Sequence, residues 1–301
     1  MPEPNRRSFE ATTHSAISVV NAIPAGKGVT IAIDIPCRVR ASISRRNNEE
    51  SISIASGIED PHDLVKTSAR YSLTHFSFDI QKSSQLRIQI SSKIPPAVGL
   101  KSSSAVSVAT ASAVFGLFGK EKDHKAILRA SCIASKDSKA SVTGAFDDAA
   151  ASLLGGLVFT NNSKFKILKH QRVPKNLGSR VVILVPTDKK KLTSSINPTS
   201  YSKYRDESLN AFDYSMKGEF SSAMMLNSVI QCAALGYSID PVSRALSEGA
   251  SAAGITGKGP AVAAICRDLR TAKRIRATWL RENKSCRVLE TRIVQPEATI
   301  L

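Results

Sequence analysis

The order of patterns along the 301 residues predicts an α+β fold in two domains. Alternation with period two dominates the first third, and helical spacing dominates beyond residue 200. Between them, the stretch 187–198 holds Lys189-Lys190-Lys191 among turn formers and reads as a crossing between domains. The expected domains are residues 1–186 and 187–301.

Ala16-Ile17-Ser18-Val19-Val20 reads as a first short strand, followed by a turn over 21–28. Val29, Ile31, Ile33 and Ile35 occupy every second position, so one face of the next strand is apolar. Over 63–78, Leu64, Val65, Leu73 and Phe76 fall at helical spacing behind Pro61 and an acidic first turn. Leu86, Ile88 and Ile90 alternate again, and Pro95-Pro96 ends that strand because proline cannot donate to a ladder. Residues 102–118 are almost all Ser, Ala, Val or Thr, a thin helix that lets neighbouring backbones come close, with Gly119 as its stop. A helix over 125–136 and strands over 157–160, 165–168 and 181–185 follow. The second domain is expected to hold helices over 202–216, 220–234 and 241–248, then a buried strand over 261–266. Residues 269–281 form an amphipathic helix with Leu269, Ala272, Ile275, Trp279 and Leu280 on one face. Arg270, Lys273, Arg274 and Arg281 take another face, and 288–294 alternates as the last strand.

Lys plus Arg number 42 against 25 Asp plus Glu, a net charge of +17 that implies anionic partners. Nucleic acid, acidic lipid and phosphorylated small molecules all fit that charge. Aromatic residues make up only 5%, which weakens any reading based on base stacking. The five cysteines form no C-x-x-C pair and the five histidines are dispersed, so no zinc-ligand spacing occurs. No run approaches the roughly 18 apolar residues of a membrane span, and the polar residues 1–10 lack the core of a signal peptide. The expected protein is soluble and cytoplasmic, with free thiols.

Familiar nucleotide motifs fail. Ala252-x4-Gly257-Lys258-Gly259 lacks the first glycine and the final hydroxyl of a P-loop, and Gly26-x-Gly28 has Ile31 where a third glycine is needed. A different loop is better: Pro95-Pro96-Ala97-Val98-Gly99-Leu100-Lys101-Ser102-Ser103-Ser104-Ala105 runs from a strand into the small-residue helix. Unsatisfied N–H groups at that helix end suit a phosphate, Gly99 permits close approach, and Lys101 adds charge. An ordinary serine-rich N-cap would look the same. Thr143-Gly144-Ala145-Phe146-Asp147-Asp148-Ala149 places adjacent carboxylates before an apolar stretch, either as a general base or as a solvated turn and N-cap. Gly254-Ile255-Thr256-Gly257-Lys258-Gly259-Pro260-Ala261 is either a backbone pressed on a ligand or a tight helix–strand connection.

In this order the three loops resemble those of the GHMP kinase superfamily, and the resemblance extends from Ala16 to Val294. Pro95 to Ala105 matches its Pro-x3-Gly-Leu-Gly-Ser-Ser-Ala-Ala motif, except that Lys101 replaces a glycine and Ser104 an alanine. Those departures, with the Asp147-Asp148 pair and the Thr256-Gly257-x-Gly259-Pro260-Ala261 ending, are similar to the archaeal type of shikimate kinase. The resemblance implies a ribosomal-protein-S5-like N-terminal domain and a ferredoxin-like C-terminal domain with the site between them. It implies ATP and shikimate as substrates, shikimate 3-phosphate as product on the route to chorismate and aromatic amino acids, and Mg²⁺ with the nucleotide. Homoserine kinase is the alternative within the superfamily, and a basic nucleic-acid-binding protein the alternative outside it. Asp148, seven residues before Gly155-Gly156, takes the place of the catalytic base, with Asp147 beside it. Asp137, eleven residues upstream, takes that of the metal-binding acid, and Ser103 that of the metal-binding hydroxyl. Lys27, within Pro24-Ala25-Gly26-Lys27-Gly28, takes that of the cation keeping the base ionised, and Thr256, Gly257, Lys258 and Gly259 lie near the site. Lys203 to Arg205 are candidates for gripping the shikimate carboxylate.

Overall fold

The computed structural model describes residues 4–45, 51–55, 63–78, 80, 84–141, 143–187 and 199–296. Pro61 and Lys189-Lys190-Lys191, to which a helix start and a domain crossing were assigned, lie outside the described residues.

The fold is α+β, built on two sheets. The first sheet is organised by its longest strand, β2 (Lys27–Arg45). β1 (Ser8–Val20) runs antiparallel along one edge of β2. The other edge takes β5 (Leu157–Asn161) beside residues 27–31 and β4 (Ser84–Ser92) beside residues 37–45. β3 (Ile52–Ile54) and β6 (Lys166–Gln171) close the two sides. Helices α1 (Leu64–His75), α2 (Ser102–Leu117), α3 (His124–Asp137) and α4 (Phe146–Leu154) belong to this half, with α2 against β1 and β2.

β1 begins eight residues earlier than its apolar run, at Ser8 rather than Ala16. Its inward positions there are Thr13 and Ser15, fully buried, whose hydroxyls donate to the carbonyls of Ala105 (2.9 Å) and Leu100 (2.8 Å). Buried hydroxyls with such partners are as acceptable in a core as valines, but they conceal the alternation. α2 is buried from Ser104 to Leu117, which only a small-residue helix permits. Gly116 has no room for a Cβ beside the Phe9 ring, so that close approach requires glycine.

The second sheet is fully antiparallel in the order β10-β7-β9-β8, from β7 (Arg180–Pro186), β8 (Ala252–Ile255), β9 (Val262–Cys266) and β10 (Cys286–Arg292). The expected domain division at 186/187 falls between β7 and its sheet partners, because β7 runs between β9 and β10. The remaining helices are α5 (Thr199–Ser202), α6 (Arg205–Met216), α7 (Phe220–Leu235), α8 (Asp240–Ser247) and α9 (Leu269–Glu282). In α9 the expected apolar face is too wide. Ala272, Ile275 and Trp279 are buried, whereas Leu269 and Leu280 are about 40% exposed. At 100° per residue both leucines stand roughly 90–110° from the centre of that stripe.

The two halves are sewn together at the middle of the chain's longest strand. Ile33 bridges Ile293, and Val294 N–H donates to the Ala32 carbonyl at 3.0 Å. Among the described residues no helix is long and apolar enough to cross a membrane.

Candidate active site

The turn leaving β4 descends to Gly99, where φ is +88° and a Cβ would strike the Thr256 carbonyl. Two residues later Lys101 adopts the left-handed conformation, φ 61°, and α2 begins. No side chain caps that helix. Its first helical hydrogen bond is donated by Ala105 N–H to the Lys101 carbonyl, so the N–H groups of Ser102, Ser103 and Ser104 precede the ladder. The loop therefore presents three backbone donors and the positive end of a buried helix to whatever occupies the space before it.

α4 begins in the same way, at Ala145 with φ 47° and no side-chain cap, and its first turn carries Asp147 and Asp148. The two carboxylates differ. Asp147 is buried, and its Oδ1 accepts from Asn162 Nδ2 at 2.7 Å, while Asn162 Oδ1 accepts the Asp147 N–H at 3.2 Å. Thr30 Oγ1 donates to Asp147 Oδ2 at 3.4 Å, and Thr160 Oγ1 fixes the Asn162 carboxamide at 2.7 Å. Gly28 is glycine because a Cβ would occupy the place of the Asp147 carboxylate.

Asp148 faces the cavity with its Oδ1 2.8 Å from Lys101 Nζ. Burial pushes its carboxyl up to about 7, the Asp147 charge pushes the same way, and Lys101 opposes both. A carboxyl poised near neutrality and held in a cleft is suited to accept a proton from a substrate hydroxyl.

The third loop closes the site from the other half of the molecule. Thr256 Oγ1 accepts from Ser18 N–H at 3.0 Å and donates to the Gly99 carbonyl at 3.1 Å. Gly257 N–H and Lys101 Nζ both donate to Ser18 Oγ, at 3.3 and 2.8 Å. Asn21 Nδ2 donates to the Gly257 carbonyl at 2.9 Å, and Asn21 N–H donates to Asn227 Oδ1 on α7 at 2.9 Å. Ser18 is thus the junction of phosphate loop, third loop and base. Burial and the nearby Lys101 charge lower the Lys258 ammonium below the ordinary lysine value.

A cavity of about 340 Å³ lies among these groups, and its lining includes Ala97, Gly99 to Ser104, Asp147, Asp148 and Gly257 to Gly259, together with Asn21, Thr143 and Tyr237. The three predicted loops are brought to one place. Pro95, Pro96, Val98 and Ala105 belong to the phosphate loop but do not line the cavity.

Two expected partners stand elsewhere. Lys27 does not line the cavity; its ammonium lies 5.0 Å from the centre of the Phe212 ring, and Lys101 is the cation against Asp148. Asp137, at the exposed end of α3, accepts from the Tyr71 hydroxyl at 3.4 Å and is likewise absent from the lining. Ser103 lines the cavity, so the expected metal pair contributes its hydroxyl and not its carboxylate. Among the described residues no group of three His, Cys, Asp or Glu could hold a metal ion. The two-ligand magnesium site does not fit these residues. Arg205 and Lys203 are also outside the lining, with the Lys203 ammonium over the Tyr204 ring at 5.0 Å.

The sequence reading missed Ser18, Asn21, Thr30 and Asn162. Ser18 carried a usable signal, since a serine inside the apolar run Ala16 to Val20 must find a partner when buried.

The chain matches the family models described as GHMP kinases N terminal domain, over residues 63–156, and GHMP kinases C terminal, over residues 208–285. It is 34% identical over 269 residues to the shikimate kinase of Methanocella arvoryzae, covering 89% of this chain and 88% of that protein. With the shikimate kinase of Pyrococcus furiosus it shares 33% identity over 270 residues, 88% of this chain and 93% of the relative. The solved mevalonate kinase of Methanococcus jannaschii superposes with a TM-score of 0.73 at 16% identity, over 97% of this chain and 100% of that one, a likeness of fold.

Proposed function

The chain belongs to the GHMP kinase family, and on that premise we propose that it transfers the γ-phosphoryl group of ATP to the 3-hydroxyl of shikimate. The observation that carries this reading is the Lys101–Asp148 pair, 2.8 Å apart, between two uncapped helix N-termini. It is joined by the identity with relatives named shikimate kinase.

Asp148 accepts the proton of the substrate hydroxyl as its oxygen forms a bond to the γ-phosphorus. The bond from that phosphorus to the β–γ bridging oxygen breaks, and ADP leaves with the electron pair. Backbone N–H groups at Ser102, Ser103 and Ser104 are aimed at the charge of the transferring group and need no reorganisation, while the Lys101 ammonium holds the base. Burial, helped by the Asp147 charge, raises the Asp148 carboxyl to the neutral range in which it can act as a base. The Asp147 oxygens are occupied by Asn162 and Thr30, so Asp147 is not the proton acceptor. The Ser103 hydroxyl lines the cavity and Asp137 does not, so of the expected pair Ser103 would be the side chain that meets magnesium brought in with the nucleotide.

The test is ADP release over shikimate, homoserine and mevalonate at fixed ATP and Mg²⁺, with the product identified by phosphorus NMR. Shikimate is expected to give by far the highest kcat/KM and a 3-phosphate. All three acceptors carry a carboxylate, so discrimination must come from shape and hydroxyl placement, and a polar site rejects a ligand that leaves its groups unpaired. Homoserine or mevalonate matching shikimate would remove the substrate and leave the kinase.

A further inference from the structure

The substrate proposed above is an acid in which a single ring atom separates the carboxylate-bearing carbon from the carbon bearing the reacting hydroxyl. When that hydroxyl meets Asp148, the carboxylate is held close to the base, and the cation that receives it must lie near Asp148 as well. Among the described residues the cavity lining contains two cations, Lys101 and Lys258. Lys101 is committed: its ammonium is 2.8 Å from Asp148 Oδ1 and 2.8 Å from Ser18 Oγ, and its side chain is 6% exposed.

Lys258 is in the opposite condition. Among the described residues no carboxylate lies at ion-pair distance from its ammonium. It shares the cavity lining with Asp148 and Lys101, whose charges act on it, and its side chain is exposed there rather than packed away. The backbone that carries it is fixed on both sides. Tyr237 Oη donates to the Lys258 carbonyl at 3.1 Å, and Asn21 Nδ2 holds the preceding Gly257 carbonyl at 2.9 Å. Gly257, at φ +57°, packs so tightly on Gly99 that a Cβ would meet the Gly99 carbonyl. A cation without a carboxylate partner among the described residues, carried on a fixed loop in the lining that also holds the base, is placed to receive an anion.

Two anions enter this cavity, the ATP triphosphate and the substrate carboxylate. The first already has the N–H groups of Ser102 to Ser104 and the α2 terminus. The second has no other described cation, since Lys203 and Arg205 are outside the lining. We propose that Lys258 is the carboxylate-binding residue of the acceptor site, an inference that rests on the shikimate reading.

The experiment is a cycle between enzyme and substrate. kcat/KM is measured for shikimate and for its uncharged methyl ester with the wild-type protein, Lys258→Met and Lys258→Arg, together with KM for ATP. A charge-assisted hydrogen bond predicts that Lys258→Met lowers kcat/KM for the acid by about 10- to 150-fold. The ester should be almost unaffected, so the acid-over-ester preference collapses, and Lys258→Arg should retain much of that preference. Activity on the ester also reports that the Met variant is folded. An unchanged acid-over-ester ratio in Lys258→Met would overturn the assignment, and equal losses on both substrates with a raised KM for ATP would overturn it and give Lys258 to the nucleotide. Failure of the wild-type protein to phosphorylate shikimate at all would instead remove the substrate reading, and this assignment with it.

Discussion

Two helices bring their N-termini to one cavity, and they begin alike. α2 starts at Lys101 and α4 at Ala145, both left-handed non-glycine residues, and neither first turn is capped by a side chain. Their chemistry then diverges. α2 leaves the N–H groups of its first turn open beside a lysine, an arrangement for an anion. α4 fills its first turn with two carboxylates, one locked by Asn162 and one facing the cavity. A helix N-terminus alone favours ionised carboxylates by about 0.3–1 kcal/mol. Moving the Asp148 carboxyl from 3.8 up to about 7 takes about 4 kcal/mol in the other direction. Desolvation, helped by Asp147, outweighs the helix end. The same local start therefore yields a phosphate cradle in one place and a neutral-range base in the other.

The largest break in this comparison comes from removing the base. Asp148→Asn is expected to lower kcat by about 10²- to 10⁴-fold, with KM for ATP little changed, in steady-state ADP release. The same variant has a stability signature. A carboxyl raised in the folded state binds more protons there than in the unfolded chain, so wild-type stability should fall as pH rises from about 4 to about 7. Urea midpoints for Asp148→Asn should lack that component. Near wild-type turnover in this variant would separate the acid from the chemistry.

Next in size is the link between the two termini. Lys101→Met removes both the cation against Asp148 and the charge at the α2 end, and a loss of about 10²- to 10³-fold in kcat is expected. Ser18→Ala removes one acceptor from the Lys101 ammonium and should cost roughly 3- to 10-fold. It should also move the acid limb of the pH profile upward, because a less constrained ammonium holds the Asp148 carboxylate less well. Ser18→Thr, which retains the hydroxyl, should restore the limb. A Ser18→Ala profile identical in position to wild type would make Ser18 part of the core only.

The smallest effects are expected at Lys27 and Asp137. Lys27→Met and Asp137→Asn should each leave kcat/KM and the Mg²⁺ concentration for half-maximal activity within about twofold of wild type. A large change in Mg²⁺ dependence for Asp137→Asn would bring that carboxylate back to the site.

Both helix starts were legible as glycine-, serine- and aspartate-rich loops, because ligand-facing backbone needs small residues and donors in a fixed order. The identity of the cation against the base was not. Lys27 lies between two glycines and Lys101 two residues after Gly99, and the left-handed start of α2 is what turns Lys101 toward Asp148. The start of α4 was legible only as one of two alternatives, and its length was not assigned because Phe146 to Leu154 is a short run of nine residues. Asp137 shows the reverse error, a spacing of eleven residues that the end of α3 turns toward Tyr71.

The pH dependence of kcat/KM for shikimate at saturating ATP tests the central claim most directly. If Asp148, poised by Asp147 and Lys101, takes the proton, activity rises with pH through about 7 as the carboxyl ionises, and Asp148→Asn loses that limb along with its turnover. A wild-type profile flat from pH 5.5 to 8.5, or the same limb retained in an active Asp148→Asn variant, would contradict it.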